Sequence, residues 1–383
     1  MKPILVLISI CGLLLFSCQR EAVAPDNTPN VRALRVGEAK AVSASTAFAF
    51  DAFARLNALK PADQNQFVSP FSVAMAVAMT KNGADGTTKE GIRKALRLDG
   101  LTDEEANASF RSLSEYLNGI DRTVNFSPAN SIWYRNTLTP QPDFVRTNQT
   151  HFNAEVRGMN FDDPATVNVI NAWAKEKTQG KIDNVIDQID PEHLMFLINA
   201  VYFKGTWTYQ FDKSQTREND FLAETGGPVK VPFMITKGDL ALYQDQDKIL
   251  VELPYGNRQF VMTLIMPASD KKMADLLPQL NAKNFDEWLQ KSRVAGVQVV
   301  MPKFSFRGNY MENEFGSILA KMGMGEAFSF KANFSRMFAD PSVVERLRPR
   351  INSVNHKSFI ELDEEGTEAA AVTVVAMICL LYT

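Results

Sequence analysis

The chain has 383 residues, 45% of them hydrophobic and 22% charged, with a formal net charge of −3. A charge so near neutral gives no electrostatic reason for a nucleic-acid partner, and the apolar share suits a soluble protein with a large core. The 26 Phe point to one extensive interior rather than several small ones.

Met1 and Lys2 give a positive start, and Ile4 to Phe16 is an almost unbroken apolar stretch without an acid. It is too short to span a bilayer and fits a secretory signal over residues 1–17. The stretch ends in Leu15-Phe16-Ser17-Cys18, which resembles the bacterial lipobox and implies lipidation of Cys18. The expectation is an exported protein, lipid-anchored to the bacterial cell envelope, that touches the membrane only through that lipid. The alternative is a plain signal peptide and a secreted, extracellular product. Residues 18–44, with Pro25, Asn27, Pro29 and scattered charges, show little periodicity and read as a flexible tether before a single domain over 45–383. Cys11 leaves with the signal and Cys18 would carry lipid, so only Cys379 remains. No internal disulfide and no cysteine-rich metal site is expected.

From Ser45 the pattern becomes regular. Phe48, Ala49 and Leu56 lie on an amphipathic first helix, and Val73 to Met79 forms a buried helix of small apolar residues. Thr102 and Glu105 make a capping box before Ala106, Phe110, Leu113 and Leu117 at helical spacing. Ile170, Trp173 and Lys177 share a face of another helix, with Gly180 as its C′ stop. Leu194 to Phe203 is apolar on both alternating faces, as a central strand covered on both sides should be. Val251 to Pro254, Phe260 to Met266 and Val297 to Met301 are further strands. Helices dominate the first half and strands the second, which gives an α+β class.

Only His151, His193 and His356 are available as imidazole bases, and no HExxH, GxSxG, CxxC or P-loop occurs. No enzyme, cofactor or metal is therefore expected.

Taken together, FVSPFSVAMAVAMTKNGADGTT (67–88), INAWAKEKTQGKI (170–182), LINAVYFKGTW (197–207), VELPYG (251–256), MPKF (301–304) and NHKSFIELDEEGTEAAAVT (355–373) resemble the serpins, in order and spacing. The resemblance implies a serpin fold of three β-sheets with eight to nine helices and an exposed reactive loop. It also implies suicide inhibition of serine, or cysteine, proteases: the loop is attacked, then inserts into the main sheet before the acyl-enzyme hydrolyses. Strand insertion of this kind is a known use of sheet edges and stored strain.

A segment that waits in solvent and later becomes a central strand tolerates neither proline nor large inward charges. From Thr367 the alternate positions are Thr367, Ala369, Ala371, Thr373, Val375 and Met377, none of them charged. Glu368 and Ala370 fall on the opposite parity, where a charge stays wet. Gly366 supplies the backbone freedom of a hinge. The expected hinge is thus Glu364, Gly366, Thr367, Glu368, Ala369, Ala370 and Ala371.

Other roles follow from the resemblance residue by residue. Ser69, Ser72, Asn199 and His356 match the cluster where the sheet opens, with Asn199 and His356 read as partners. Trp207, Lys303 and Glu364 match the loop-entry point, where Lys303 and Glu364 would form a surface pair. The family distance from Gly366 places the reactive bond at Leu380-Leu381, with Met377 and Tyr382 as neighbours if the register differs. Leu380 suits elastase- or chymotrypsin-like proteases. Heparin is not expected, because Asp103, Glu104, Glu105 and Glu115 outnumber Arg111 on the relevant helix. A monomer is expected. Family members continue past the reactive loop, so the C-terminal strands are expected to be missing from a chain that stops at Thr383. The alternative function is a non-inhibitory serpin that acts as substrate or binding protein.

Overall fold

A computed structural model describes residues 28–60, 64–223, 227–311 and 313–379. In chain order the elements are α1 (Val36–Asn57), α2 (Pro70–Lys81), α3 (Gly86–Ala95), α4 (Asp103–Gly119), β1 (Val124–Arg135), α5 (Pro142–Phe152), β2 (Ala154–Met159), α6 (Ala165–Lys177) and β3 (His193–Thr206). They continue through β4 (Arg217–Leu222), β5 (Pro228–Gln244), β6 (Lys248–Tyr255), β7 (Phe260–Pro267), α7 (Met273–Leu276), α8 (Ala282–Lys291), β8 (Arg293–Pro302) and β9 (Phe304–Tyr310). The last are α9 (Glu314–Leu319), α10 (Pro341–Leu347), β10 (Arg350–Leu362) and β11 (Gly366–Ile378).

Every strand and helix read from periodicity is present, extended by a few residues at its ends. The Thr102 capping box forms, with Glu105 N–H donating to Thr102 Oγ1 at 3.2 Å and Thr102 N–H to Glu105 Oε2 at 2.7 Å. The fourth helix of that reading, α6, stops at Lys177, three residues before the Gly180 expected to end it. Both Gln179 and Gly180 then take left-handed backbone.

The tether boundary shifts. α1 begins at Val36 rather than Ser45, and residues ahead of it are held down. Glu38 accepts from Arg35 N–H at 2.7 Å, and Arg32 pairs with the Glu38 carboxylate at 2.7 Å while its guanidinium lies over Tyr116 of α4. The buried apolar positions there are Ala41 and Ala44, too small to register as an apolar face in the sequence.

Two sheets organise the described residues. The larger has six strands in the order β2-β1-β3-β11-β10-β9, with β1 and β2 parallel and every other pair antiparallel. The smaller runs β4-β5-β6-β7, with β8 also paired to the long β5. One core packs α1, α2, α3 and α9 against one face of the large sheet, and a second lies under α6 and residues 182–189 on the other face. α2 carries no apolar stripe because it is apolar all round, with Val73 to Met79 at most 4% exposed.

The segment expected to stand exposed as the reactive loop is instead β11, in the middle of the large sheet. It pairs with β10 from Leu362↔Thr367 to Arg350↔Ile378, and with β3 from Thr206↔Gly366 to His193↔Ile378. Its free backbone groups are thereby matched on both edges, which an exposed loop leaves to water.

Candidate functional site

Three groups of residues surround β11. The first lies at its middle, where Thr373 faces Asn199 on β3 and His356 on β10. Ser69 caps α2, its Oγ accepting from Ser72 N–H at 3.2 Å, and its own N–H donates to His356 Nε2 at 3.1 Å. Because Nε2 accepts, the imidazole proton sits on Nδ1 and is directed at Thr373 Oγ1, 2.8 Å away. That leaves the Thr373 hydroxyl to donate to Ser72 Oγ at 2.9 Å, and Ser72 to donate to the Asn199 carbonyl at 3.4 Å. Burial pushes the His356 imidazole down to about 3, so the ring is neutral, as this relay requires.

The expected Asn199–His356 pair does not form. Thr373 stands between them, and the Asn199 amide turns to Asn130 Oδ1 at 2.9 Å instead. Ser69, Ser72 and His356 are thus brought together through a side chain of β11. Thr373 and Asn130 escaped the sequence reading as site residues. The signal for Thr373 was present, as the one hydroxyl among the inward positions beyond Thr367.

The second group is the expected loop entry, at the start of β11. Trp207 is buried, donates Nε1–H to the Asp363 carbonyl at 2.9 Å, and stacks on Tyr255 with ring centroids 4.4 Å apart. Lys303 Nζ lies 3.3 Å from Glu364 Oε1. This is not a surface pair, because the Glu364 side chain is only 6% exposed and also accepts from Thr216 Oγ1 at 2.7 Å. Burial opposes its ionisation, but the Thr216, backbone and Lys303 hydrogen bonds outweigh that and hold the carboxyl below the usual range.

The third group is the segment expected to be the hinge. Gly366 has ordinary backbone, so its need is steric: a Cβ there would overlap the Gly205 carbonyl oxygen on the neighbouring strand. Thr367 is 4% exposed and accepts from the Tyr255 hydroxyl at 2.7 Å. Glu368 does point to the other face, yet it is not simply wet. Its carboxylate accepts from the Tyr202 hydroxyl at 2.7 Å and pairs with Lys181 at 3.0 Å. Ala369 is half-buried, and Ala370 and Ala371 are buried. Beyond Glu368 the outer parity is covered as well: Ala370, Val372, Val374 and Ala376 pack with Trp133, Trp173 and Ile186. The alternation of the sequence marked the faces correctly, but only the fold shows that both are dry.

Leu380 and Leu381 lie outside the described residues, as do Cys18 and Tyr382. Met377 is fully buried in the core. On α4, Arg111 is paired with Glu115 at 2.8 Å.

Comparison with known proteins places the chain in a family. The family model described as serpin, a serine protease inhibitor, covers residues 43–382. The chain belongs to the serpin family. It is 31% identical over 340 residues to the corticosteroid-binding globulin of Pongo abelii, covering 88% of this chain and 81% of that one. It is 32% identical over 320 residues to human Serpin B8, covering 82% of this chain and 83% of the other. Among solved structures, reaction-loop-cleaved lamprey angiotensinogen superposes with a TM-score of 0.81 at 26% identity, over 90% of this chain and 100% of that one. This serpin therefore shares its fold with relatives whose names include both binding globulins and numbered serpins.

Proposed function

We propose that this serpin is a suicide inhibitor of serine proteases with elastase- or chymotrypsin-like pockets. The protease attacks at Leu380-Leu381, and the residues from Gly366 onward enter the large sheet before the acyl-enzyme is hydrolysed. The observation that carries the reading is Thr373. Its hydroxyl completes a relay among His356, Ser72 and Asn199 at the centre of the sheet, in register with both neighbours. A segment selected only as a surface loop has no reason to place a hydroxyl there and small apolar residues around it. The hinge Glu364 to Ala371 starts the entry, and Trp207, Lys303 and Glu364 hold its base. The protein works as a monomer and without heparin, exported and held by lipid on Cys18.

A second reading, a non-inhibitory binding protein, is favoured by the likeness to a corticosteroid-binding globulin. Incubation with chymotrypsin, elastase and trypsin separates the two. Inhibition predicts a denaturant-stable covalent complex with the first two and far less with trypsin, cut within about three residues of Leu380. Thr367→Arg should turn the inhibitor into a substrate: an unpaired guanidinium beside Trp207 and Tyr255 costs on the order of several kcal/mol to desolvate. Each ~1.4 kcal/mol slows entry about tenfold while hydrolysis proceeds. Cleavage without any complex in the unaltered protein would establish the second reading.

A further inference from the structure

Tyr255 belongs to none of the roles assigned above, yet its hydroxyl meets the first side chain of the inserted strand. The ring is 3% exposed at the end of β6 and fixed from three sides. Trp207 stacks on it at 4.4 Å and 17°, and Phe203 meets it edge-on at 5.2 Å. The third wall is Gly205, where a Cβ would stand 2.9 Å from Tyr255 Cδ1. Any side chain at 205 would displace the ring. The ring so held aims its hydroxyl at Thr367 Oγ1, 2.7 Å away, in a place where both residues are buried.

We propose that Tyr255 is a positioning residue for loop insertion, a fixed donor that receives Thr367 as the strand starts to enter. This rests on the inhibitory reading and deepens it. A buried hydroxyl without a partner costs free energy, so the site favours the state in which Thr367 has arrived. The donor is on β6, which pairs with β5 and β7 in the smaller sheet rather than with β3 or β10. Insertion therefore gains this bond at its first step, before the relay at Thr373 can form. Thr367 suits the task because it carries a hydroxyl and no charge. Serine would retain the bond and valine would lose it at equal bulk.

The test compares Tyr255→Phe, Thr367→Val, Thr367→Ser and the Tyr255→Phe/Thr367→Val double variant, with chymotrypsin as the probe. The reading is the ratio of cleaved to covalently trapped serpin. Either hydroxyl deletion should raise this ratio about tenfold, in the range that an unpartnered buried hydroxyl implies. The double variant should be no worse than the worse single one, and Thr367→Ser should behave like the unaltered protein. A purely structural role for Tyr255 would leave the ratio unmoved or make the two effects multiply, and either result overturns the proposal. Should Tyr255→Phe fail to fold, Thr367→Val against Thr367→Ser decides by the same ratio. Should the unaltered protein trap no chymotrypsin, the inhibitory reading has failed and the latch is judged separately. The gain in melting temperature on nicking the loop would then be smaller in Tyr255→Phe if the latch exists, and equal if it does not.

Discussion

His356 works in this site only as a neutral ring, because its Nε2 must accept from Ser69 N–H while Nδ1 donates to Thr373. Burial lowers its pKa from the ordinary 6.5 to about 3. Between those values the unfolded chain binds a proton that the folded chain does not, so stability rises with pH across the window and falls as pH drops below 6.5. Going from pH 7 to pH 5 should remove about 2 kcal/mol from the inserted form through this group. Guanidinium unfolding of loop-nicked protein at pH 5, 6 and 7, set against His356→Gln, isolates the contribution. The variant should be less stable at pH 7 and show a shallower slope, and identical slopes would contradict the assignment. The sequence identified His356, Ser69 and Ser72 but misjudged the partner of Asn199. Two strands that flank a gap read as neighbours until the residue filling the gap is known.

At the scale of one element, β11 carries the functional argument. Its alternation was legible because charge and proline are excluded from a central strand whatever surrounds it. What alternation could not tell was the fate of the second face, since an even-numbered alanine or valine is equally at home in water or under a helix. α6 and residues 182–189 cover that face, so only Glu368 keeps partial contact with solvent. Burial of the strand also gives it a built-in reporter. Cys379 follows β11, is 4% exposed, and donates its N–H to the Glu192 carbonyl at 2.9 Å. Burial raises its thiol pKa, which further lowers the thiolate fraction. On the inhibitory reading proposed above, cleavage after Leu380 would leave Cys379 on the segment that enters the sheet. Its reaction with a thiol reagent should therefore be fast before the loop is nicked and at least about tenfold slower afterwards. An unchanged rate would show that the segment does not enter the sheet.

For the whole molecule, the large sheet is a partition with a dry core on each side, and insertion of β11 adds apolar surface to both at once. On the inhibitory reading proposed above, burial of that apolar surface on both faces would supply the driving force of insertion. The molecule's far end is fixed differently. Arg32, Glu38, Ser112 and Tyr116 tie the segment before α1 onto α4, with Arg32 Nη2 donating to Ser112 Oγ at 3.2 Å. Any tether to Cys18 therefore ends near Arg32 rather than at residue 44. Lipidation of Cys18 predicts globomycin-sensitive processing and membrane partitioning that both vanish in Cys18→Ala. Membrane partitioning unchanged in that variant would dismiss the lipid anchor.

Local periodicity and residue types at fixed spacing were enough to read α1, α2, α4 and α6, β3, β6, β7 and β8, the two parities of the segment from Thr367, and the family resemblance. The sequence also singled out Gly366 for backbone freedom, and the fold adds a steric need there, since a Cβ would overlap the Gly205 carbonyl. The tertiary structure decided which residues meet. Thr373 joins His356 to Ser72, Tyr255 meets Thr367 across 112 residues of chain, and Glu364 becomes buried beside Lys303. Contacts of that kind depend on which strands become neighbours, and pairing between distant segments leaves no local pattern from which it could be read.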